Sequence, residues 1–360
     1  MIYPTKKLGE VLEKNGIIPA KIKREDYRQS GKYPVVDQGE DLVAGYIDDK
    51  AKLYQGSLPV IVFGDHTRII KYVDFPFAFG ADGIKILRPL ATLLPKFFYY
   101  VLVFNPVRNQ GYKRHFSLLT HTKIPIPPLT IQKQIVGKLD KIAEAQKLND
   151  ELIQKADELF NSIFYQEFQS KNDKWENIKL EEVCKIIEQK QPKTIFKDSF
   201  SYIDIASIDK DRVIKAQIIS VKNAPSRARK LVHVNDTIFS TVRPYLKHIA
   251  FIPTALGGSI ASTGFCVIRP KTDIADPYFI NFVVNSDYFV NKILPLQRGA
   301  SYPAVSDADI YSQKISLPSL KEQKQIVAKL SAVQDYKKQL LEQKTKLKEL
   351  FDSVLAKSIS

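Results

Sequence analysis

The chain spells one helical phrase twice: "IQKQIVGKLDKI" from Ile131 to Ile142, and "EQKQIVAKLSAV" from Glu322 to Val333. The flanks agree, with "KIPIPPL" (Lys123 to Leu129) before the first copy and "KISLPSL" (Lys314 to Leu320) before the second. Earlier anchors keep the same order. "GIKILRP" (Gly83 to Pro89) matches "GFCVIRP" (Gly264 to Pro270), and "LPKFFYYVL" (Leu94 to Leu102) resembles "DPYFINFVV" (Asp276 to Val284). The "NQG" ending at Gly111 pairs with the "QRG" ending at Gly299, and "YPTKKLGEV" (Tyr3 to Val11) resembles "WENIKLEEV" (Trp175 to Val183). The offset rises from 172 at the front to 191 at the helical phrases, which predicts small insertions in the loops of the second copy. Such self-similarity constrains the fold before any other reading, because a tandem duplication folds as two like units.

Each half reads as a globular segment followed by a long helix. "LPVIVFGDHTR" (Leu58 to Arg68) and "NDTIFSTVRP" (Asn235 to Pro244) predict a strand emptying into a polar turn, and "GIKILRP" and "GFCVIRP" predict strands closed by a proline. The aromatic runs that begin at Pro95 and Pro277 predict short buried helices. Ser319 and Glu322 make an S-x-x-E capping box for the second long helix. Behind it, Ile326, Val333, Leu340, Leu347 and Val354 recur every seven residues, matched in the first helix by Ile135, Ile142, Asn149, Ala156 and Ile163. Leu330 and Phe351, matched in the first helix by Leu139 and Phe160, widen the stripe at both ends. Asn149 is either a register-setting polar residue or one tolerated in a wet seam. Domain termini lie close together, so the end of helix one belongs beside the start of helix two and the pair is antiparallel.

The expected fold class is α+β: two α/β domains at opposite ends of an antiparallel two-helix coiled coil, an internal pseudo-two-fold repeat. The expected segments are 1–123 and 171–314 for the globular domains, and 124–170 and 315–360 for the spacer helices.

Composition narrows the function. A formal charge of +15 on 360 residues points to a polyanionic partner, nucleic acid or an acidic membrane surface. The longest apolar run, "FFYYVLVF" from Phe97 to Phe104, is far short of the ~20 residues of a membrane span. The first residues lack an apolar core for a signal peptide. Cys184 and Cys266 stand far apart with no C-x-x-C spacing, against a disulfide framework or a zinc site. The expectation is a cytoplasmic protein.

A helix of 35–40 residues is about 55 Å long, and successive major-groove faces of B-DNA recur every ~34 Å. Two diverged domains held at that scale suit two different half-sites of one duplex. Across its whole length the chain resembles the specificity (S) subunits of Type I restriction-modification systems. The resemblance is carried by "IPIPPLTIQKQIV", "ISLPSLKEQKQIV", "VIVFGDHTRIIKYVDFPFAFGADGIKILRP", "NDTIFSTVRP", "SIASTGFCVIRP" and "QRGASYPAVSDADI".

That resemblance implies two target recognition domains, each reading one part of a split, asymmetric double-stranded DNA target, with the helices setting the spacing. It implies two methyltransferase (M) subunits as partners and restriction (R) subunits in the full complex. S-adenosylmethionine, ATP and Mg would then belong to those partners, with no cofactor and no catalysis in this chain. The sequence holds no G-x-x-x-x-G-K-[ST] loop and no N-P-P-[YF] motif, "NPVR" at Asn105 being the nearest. Other readings are a specificity chain that acts with a methyltransferase alone, an enzyme with a hidden centre, or a coiled-coil adaptor that never meets DNA.

Base readout needs Arg, Lys, Asn or Gln on base edges, and phosphates attract Ser, Thr, Lys and Arg. The candidates in the first half are Lys23 and Arg24, the turn Asp65-His66-Thr67-Arg68, and Arg114 with His115. In the second half they are Arg227 and Arg229, then Arg243, Tyr245 and Lys247, then Arg298 and Tyr302. Asp65 with Arg68 also reads as a local turn-stabilising pair, and Tyr245 and Tyr302 as core aromatics. Arg88 and Arg269, kept at equivalent strand ends, read as structural, on the logic that shared residues support the fold and divergent ones carry the code.

Overall fold

The computed structural model describes residues 3–13, 21–80, 83–109, 111, 113–169, 175–209, 212–213 and 215–359. Two compact units emerge. The first is Met1–Ile153 with Gln339–Ser360, and the second is Gln154–Lys338. The cut passes through both long helices, Leu129–Gln169 and Leu320–Ile359, so each unit owns a section of each helix.

In the first unit a three-stranded sheet places Val60–Gly64 between Ile70–Val73 and Ile84–Leu87, all antiparallel. The second unit repeats it with Thr237–Ser240 between Ile249–Phe251 and Phe265–Ile268. A further sheet in the first unit contains the parallel pair Tyr33–Val36 and Ala78–Phe79, and its counterpart in the second the parallel pair Ser199–Ile203 and Ile260–Ser262. A two-stranded ribbon ties the front of each unit to the approach of its long helix: Thr5–Lys7 with Lys123–Pro125, and Glu176–Lys179 with Lys314–Leu317. The expected buried helices are Pro95–Phe104 and Pro277–Asn285, each opening on its proline.

Equivalence reaches single hydrogen bonds. Glu13 N–H donates to the Arg88 carbonyl at 2.8 Å, and Lys185 N–H donates to the Arg269 carbonyl at 2.8 Å. The pairing also corrects the simple picture of a rising offset. Val35 faces Ala78 as Tyr202 faces Ile260, an offset of 167 at that strand, so the first copy is longer before it. The second copy then gains the ribbon Ile208–Asp209 with Arg212–Val213. Its strand Ala228–Leu231 stands where the first unit, among the described residues, has the single bridge Leu53–Ala78.

The repeated "QKQIV" phrase has a mechanical reason. Gln132 and Gln323, both fully buried, clamp the start of each helix to its own domain. The Gln132 amide oxygen accepts from Leu94 N–H at 2.7 Å, while its NH2 donates to the carbonyls of Thr92 and Pro127 at 2.9 and 2.8 Å. Gln323 accepts from Asp276 N–H at 2.7 Å and donates to Ile274 and Pro318 at 3.0 and 2.8 Å. Ser319 and Glu322 form the expected capping box, each bonding the other's backbone N–H.

Within each unit the two helix sections run antiparallel. In the first, Asn149 Nδ2 donates to the Leu340 carbonyl at 3.0 Å and Asp150 pairs with Lys344. Ile135 and Leu139 share a core with Leu355, Phe351 and Val354. Ile142, Asn149 and Leu340 are buried and Leu347 is half-buried. In the second, Asp157 pairs with Lys337 and Glu167 with Lys329. Ala156, Ile326, Leu330 and Val333 are buried, with Phe160 and Ile163 packed alongside. Both cysteines lie in the second unit's core, where burial pushes the Cys184 thiol up to about 12.

Candidate nucleic-acid interface

In each unit the turn that leaves the central strand meets the loop that precedes the long-helix approach. Asp65 N–H donates to the Gly83 carbonyl at 2.6 Å, and His115 N–H donates to the Asp65 carbonyl at 2.9 Å. In the second unit Thr241 N–H donates to the Gly264 carbonyl at 2.8 Å, and Val305 N–H to the Thr241 carbonyl at 2.9 Å. One backbone frame therefore brings together segments separated by some fifty to sixty residues, and the side chains hung on it differ.

In the first unit two candidates point inward, which corrects their assignment to a DNA-facing surface. Asp65 is buried, and its carboxylate accepts from Phe116 N–H at 2.7 Å at the start of the short helix Phe116–Leu119. His115 is fully buried, its Nδ1 3.0 Å from the Asp65 carbonyl oxygen. Both hold the frame. No ion pair joins Asp65 to Arg68 among the described residues. Arg68 instead takes a left-handed backbone, φ 65°, and its guanidinium donates to the Val107 carbonyl at 3.4 Å. Thr67 is exposed and anchors the turn by donating to the Gln38 carbonyl at 2.7 Å. His66 is half-buried beside it. Gly83 sits at φ 88° with the His66 ring so close that a Cβ would lie 2.8 Å from it, so this crossing requires glycine. Arg114 is exposed on the neighbouring loop, and Lys23 and Arg24 are exposed on a separate turn, where Lys23 pairs with Glu25 at 3.4 Å.

The second unit gathers more of its candidates into one place. Arg243 N–H donates to the Pro303 carbonyl at 2.8 Å, and the Arg243 guanidinium lies 5.2 Å from the Tyr302 ring centroid. Arg298 makes two bonds to the Asp309 carboxylate, at 2.8 and 3.1 Å. That guanidinium, followed by the Ser306 hydroxyl and N–H, holds the Asp309 carboxyl well below the usual carboxylate range. Tyr302 and Tyr245 are both exposed, which removes the core-aromatic reading. Lys247 pairs with Asp287. Arg227 is exposed on the strand-leading turn, and half-buried Arg229 donates to the Ala228 carbonyl at 3.3 Å.

This unit also holds a cleft of about 880 Å³, rimmed by Phe160, Phe164, Tyr165, Phe251, Tyr278 and Phe282. Aromatic spacing alone does not separate cleft walls from core, so no sequence signal marked it. The clamping glutamines were visible as part of the repeat, but their role was not. Among the described residues no group of three or more His, Cys, Asp or Glu side chains is arranged to hold a metal, and no helix is long and apolar enough to cross a membrane.

Comparison with known proteins agrees with this arrangement. The chain is 32% identical over 147 residues to the Type I restriction enzyme EcoR124I/EcoR124II specificity subunit of Escherichia coli, covering 37% of this chain and 36% of that one. It is 24% identical over 138 residues to the Type I restriction enzyme HindI specificity subunit of Haemophilus influenzae, covering 37% and 30%. These alignments span about a third of the length of either relative. The crystal structure of the Type I restriction-modification system S subunit from M. genitalium shares the fold over 99% of this chain and 96% of that one, with a TM-score of 0.62 at 16% identity. The family described as Type I restriction modification DNA specificity domain matches residues 3–158 and again 172–350, once for each copy of the repeat, and the chain belongs to it.

Proposed function

We propose that this chain is the sequence-reading subunit of a Type I restriction-modification assembly and is not itself an enzyme. Each unit reads one part of a split, asymmetric double-stranded DNA target, and the long helices fix the number of unread base pairs between the parts. Two methyltransferase subunits seat on the chain, and restriction subunits complete the assembly. S-adenosylmethionine, ATP and Mg bind to those partners. The assembly works in the cytoplasm.

The observation that carries this reading is the duplicated loop frame: equivalent backbone hydrogen bonds in both units, with His66, Thr67 and Arg68 on one and Arg243, Tyr245 and Lys247 on the other. A frame fixed twice and dressed differently suits two different half-sites. The +15 charge supplies the sequence-independent attraction to phosphates. Exposed Arg114 and Arg227, which make no ion pair among the described residues, are placed on phosphates or base edges, with Lys23 and Arg24 in a supporting role.

The test is methylation mapping in cells carrying the chain and its methyltransferase, followed by gel shift of the purified assembly on the mapped site. A split motif, bound with strong salt dependence, is expected. Methylation at a continuous motif, or retention of the split motif after unit-encoding segments are exchanged for those of another specificity subunit, would refute the proposal.

A further inference from the structure

The turn after Thr237–Ser240 carries two residues in the left-handed region, Arg243 at φ 48° and Lys247 at φ 50°, flanking the short 3-10 turn Pro244–Leu246. Neither is glycine, asparagine or aspartate, the residues that enter this region at little cost. Backbone strain of this kind persists only where the surroundings over-determine it. Here they do. Arg243 is tied through its N–H to Pro303 and through its guanidinium to the Tyr302 ring. Lys247 pairs with Asp287 and reaches the Asn285 carbonyl at 3.4 Å. Inside the turn, Leu246 N–H donates to the Arg243 carbonyl at 2.9 Å and Lys247 N–H to the Pro244 carbonyl at 3.0 Å, over a buried Pro244.

The product is a stiff tip with Tyr245 and Leu246 on it, 49% and 47% exposed, between two cations. A turn that only reverses the chain has no need of large apolar side chains at its apex. The equivalent turn of the first unit, Gly64 to Arg68, has one left-handed residue and only polar side chains between its ends. Apolar side chains on a rigid support are what proteins insert between base steps.

We propose that Tyr245 and Leu246 form a wedge that enters the duplex at the half-site read by the second unit and unstacks one base step, leaving the other half-site undistorted. This deepens the DNA-reading function proposed above and rests on it. Pyrimidine–purine steps unstack most easily, so the entered step is expected to be of that type.

The full chain with its methyltransferase is bound to its mapped target. Permanganate then probes each thymine, and 2-aminopurine replaces each adenine in turn. One step within a single half-site is expected to become reactive, with 2-aminopurine fluorescence rising several-fold. The Tyr245→Ala/Leu246→Ala variant returns that step to the level of free duplex, and Leu246→Ala alone, read at saturating protein, covers weak binding by the double variant. A target base flipped by the methyltransferase gives its own signal, which both variants keep. Binding without any step whose signal depends on these residues overturns the wedge alone. Failure of the wild-type assembly to bind any duplex removes both the wedge and the function beneath it.

Discussion

Arg88 and Arg269 close equivalent strands and accept the same backbone hydrogen bond, yet their side chains live in different media. The Arg88 guanidinium meets the Glu13 carboxylate and the Ser57 hydroxyl, each at 2.8 Å, in partial contact with solvent. Arg269 makes a two-pronged pair with Asp236 at 2.8 and 2.7 Å and also donates to the Leu231 carbonyl. Asp236 is 1% exposed and takes a further bond from His233 N–H at 2.7 Å. What the two copies share is thus the backbone frame. The side chains on it have drifted between a surface pair and a buried one.

The largest expected effect follows from that contrast. Arg269→Ala strands a buried carboxylate and should cost the second unit about 3–5 kcal/mol. Arg88→Ala breaks a partly solvated pair and should cost the first no more than about 1 kcal/mol. Hydrogen exchange read separately on the two cores measures both. Equal losses would show that burial is not what distinguishes the two arginines.

The glutamine clamps offer the opposite case, where the copies agree in side chain as well as frame. Gln132→Ala and Gln323→Ala each leave a buried N–H and two carbonyls short of a partner, for an expected loss of about 2–3 kcal/mol in the unit concerned. The same exchange experiment should find the two losses alike. A marked inequality would mean that one clamp is braced by something the other lacks.

These pairs also explain what could be read from the sequence. The repeat, the strands around Val60–Gly64 and Thr237–Ser240, the proline-led helices and the antiparallel stripes were legible, because periodicity and repetition are written in the order of residues. The rule that shared residues are structural holds at Arg88, Arg269, Gln132 and Gln323. Its converse fails at Asp65 and His115: they differ from Thr241 and Val305, yet they are buried in the loop frame. Divergence marks freedom from the backbone frame, and a core position can be as free as a surface one. Which loop residues face outward depends on contacts between segments some fifty residues apart, such as Arg243 with Tyr302, and no local pattern encodes these.

The smallest effect concerns a carboxylate that only the second unit has. Asp309 lies on the short helix Asp307–Tyr311, whose counterpart in the first unit, Phe116–Leu119, has no acidic residue. The Arg298 guanidinium first, and then the Ser306 hydroxyl and N–H, keep the folded-state acid constant of Asp309 below its value of about 4 in an unfolded chain. A depressed carboxylate stabilises the fold at every pH above the unfolded value, and that stabilisation disappears as pH falls through the folded one. The second unit should therefore lose stability below about pH 4 by an increment that Arg298→Ala makes smaller. Because Arg298 is exposed, the increment should also shrink as salt is added. Unfolding midpoints of the wild type, Arg298→Ala and Asp309→Asn, taken from pH 7 down to pH 2, measure it. If Arg298→Ala left the acid limb unchanged while Asp309→Asn flattened it, Ser306 alone would hold the carboxylate, and Arg298 would be free to leave Asp309 for a phosphate at no cost to the loop.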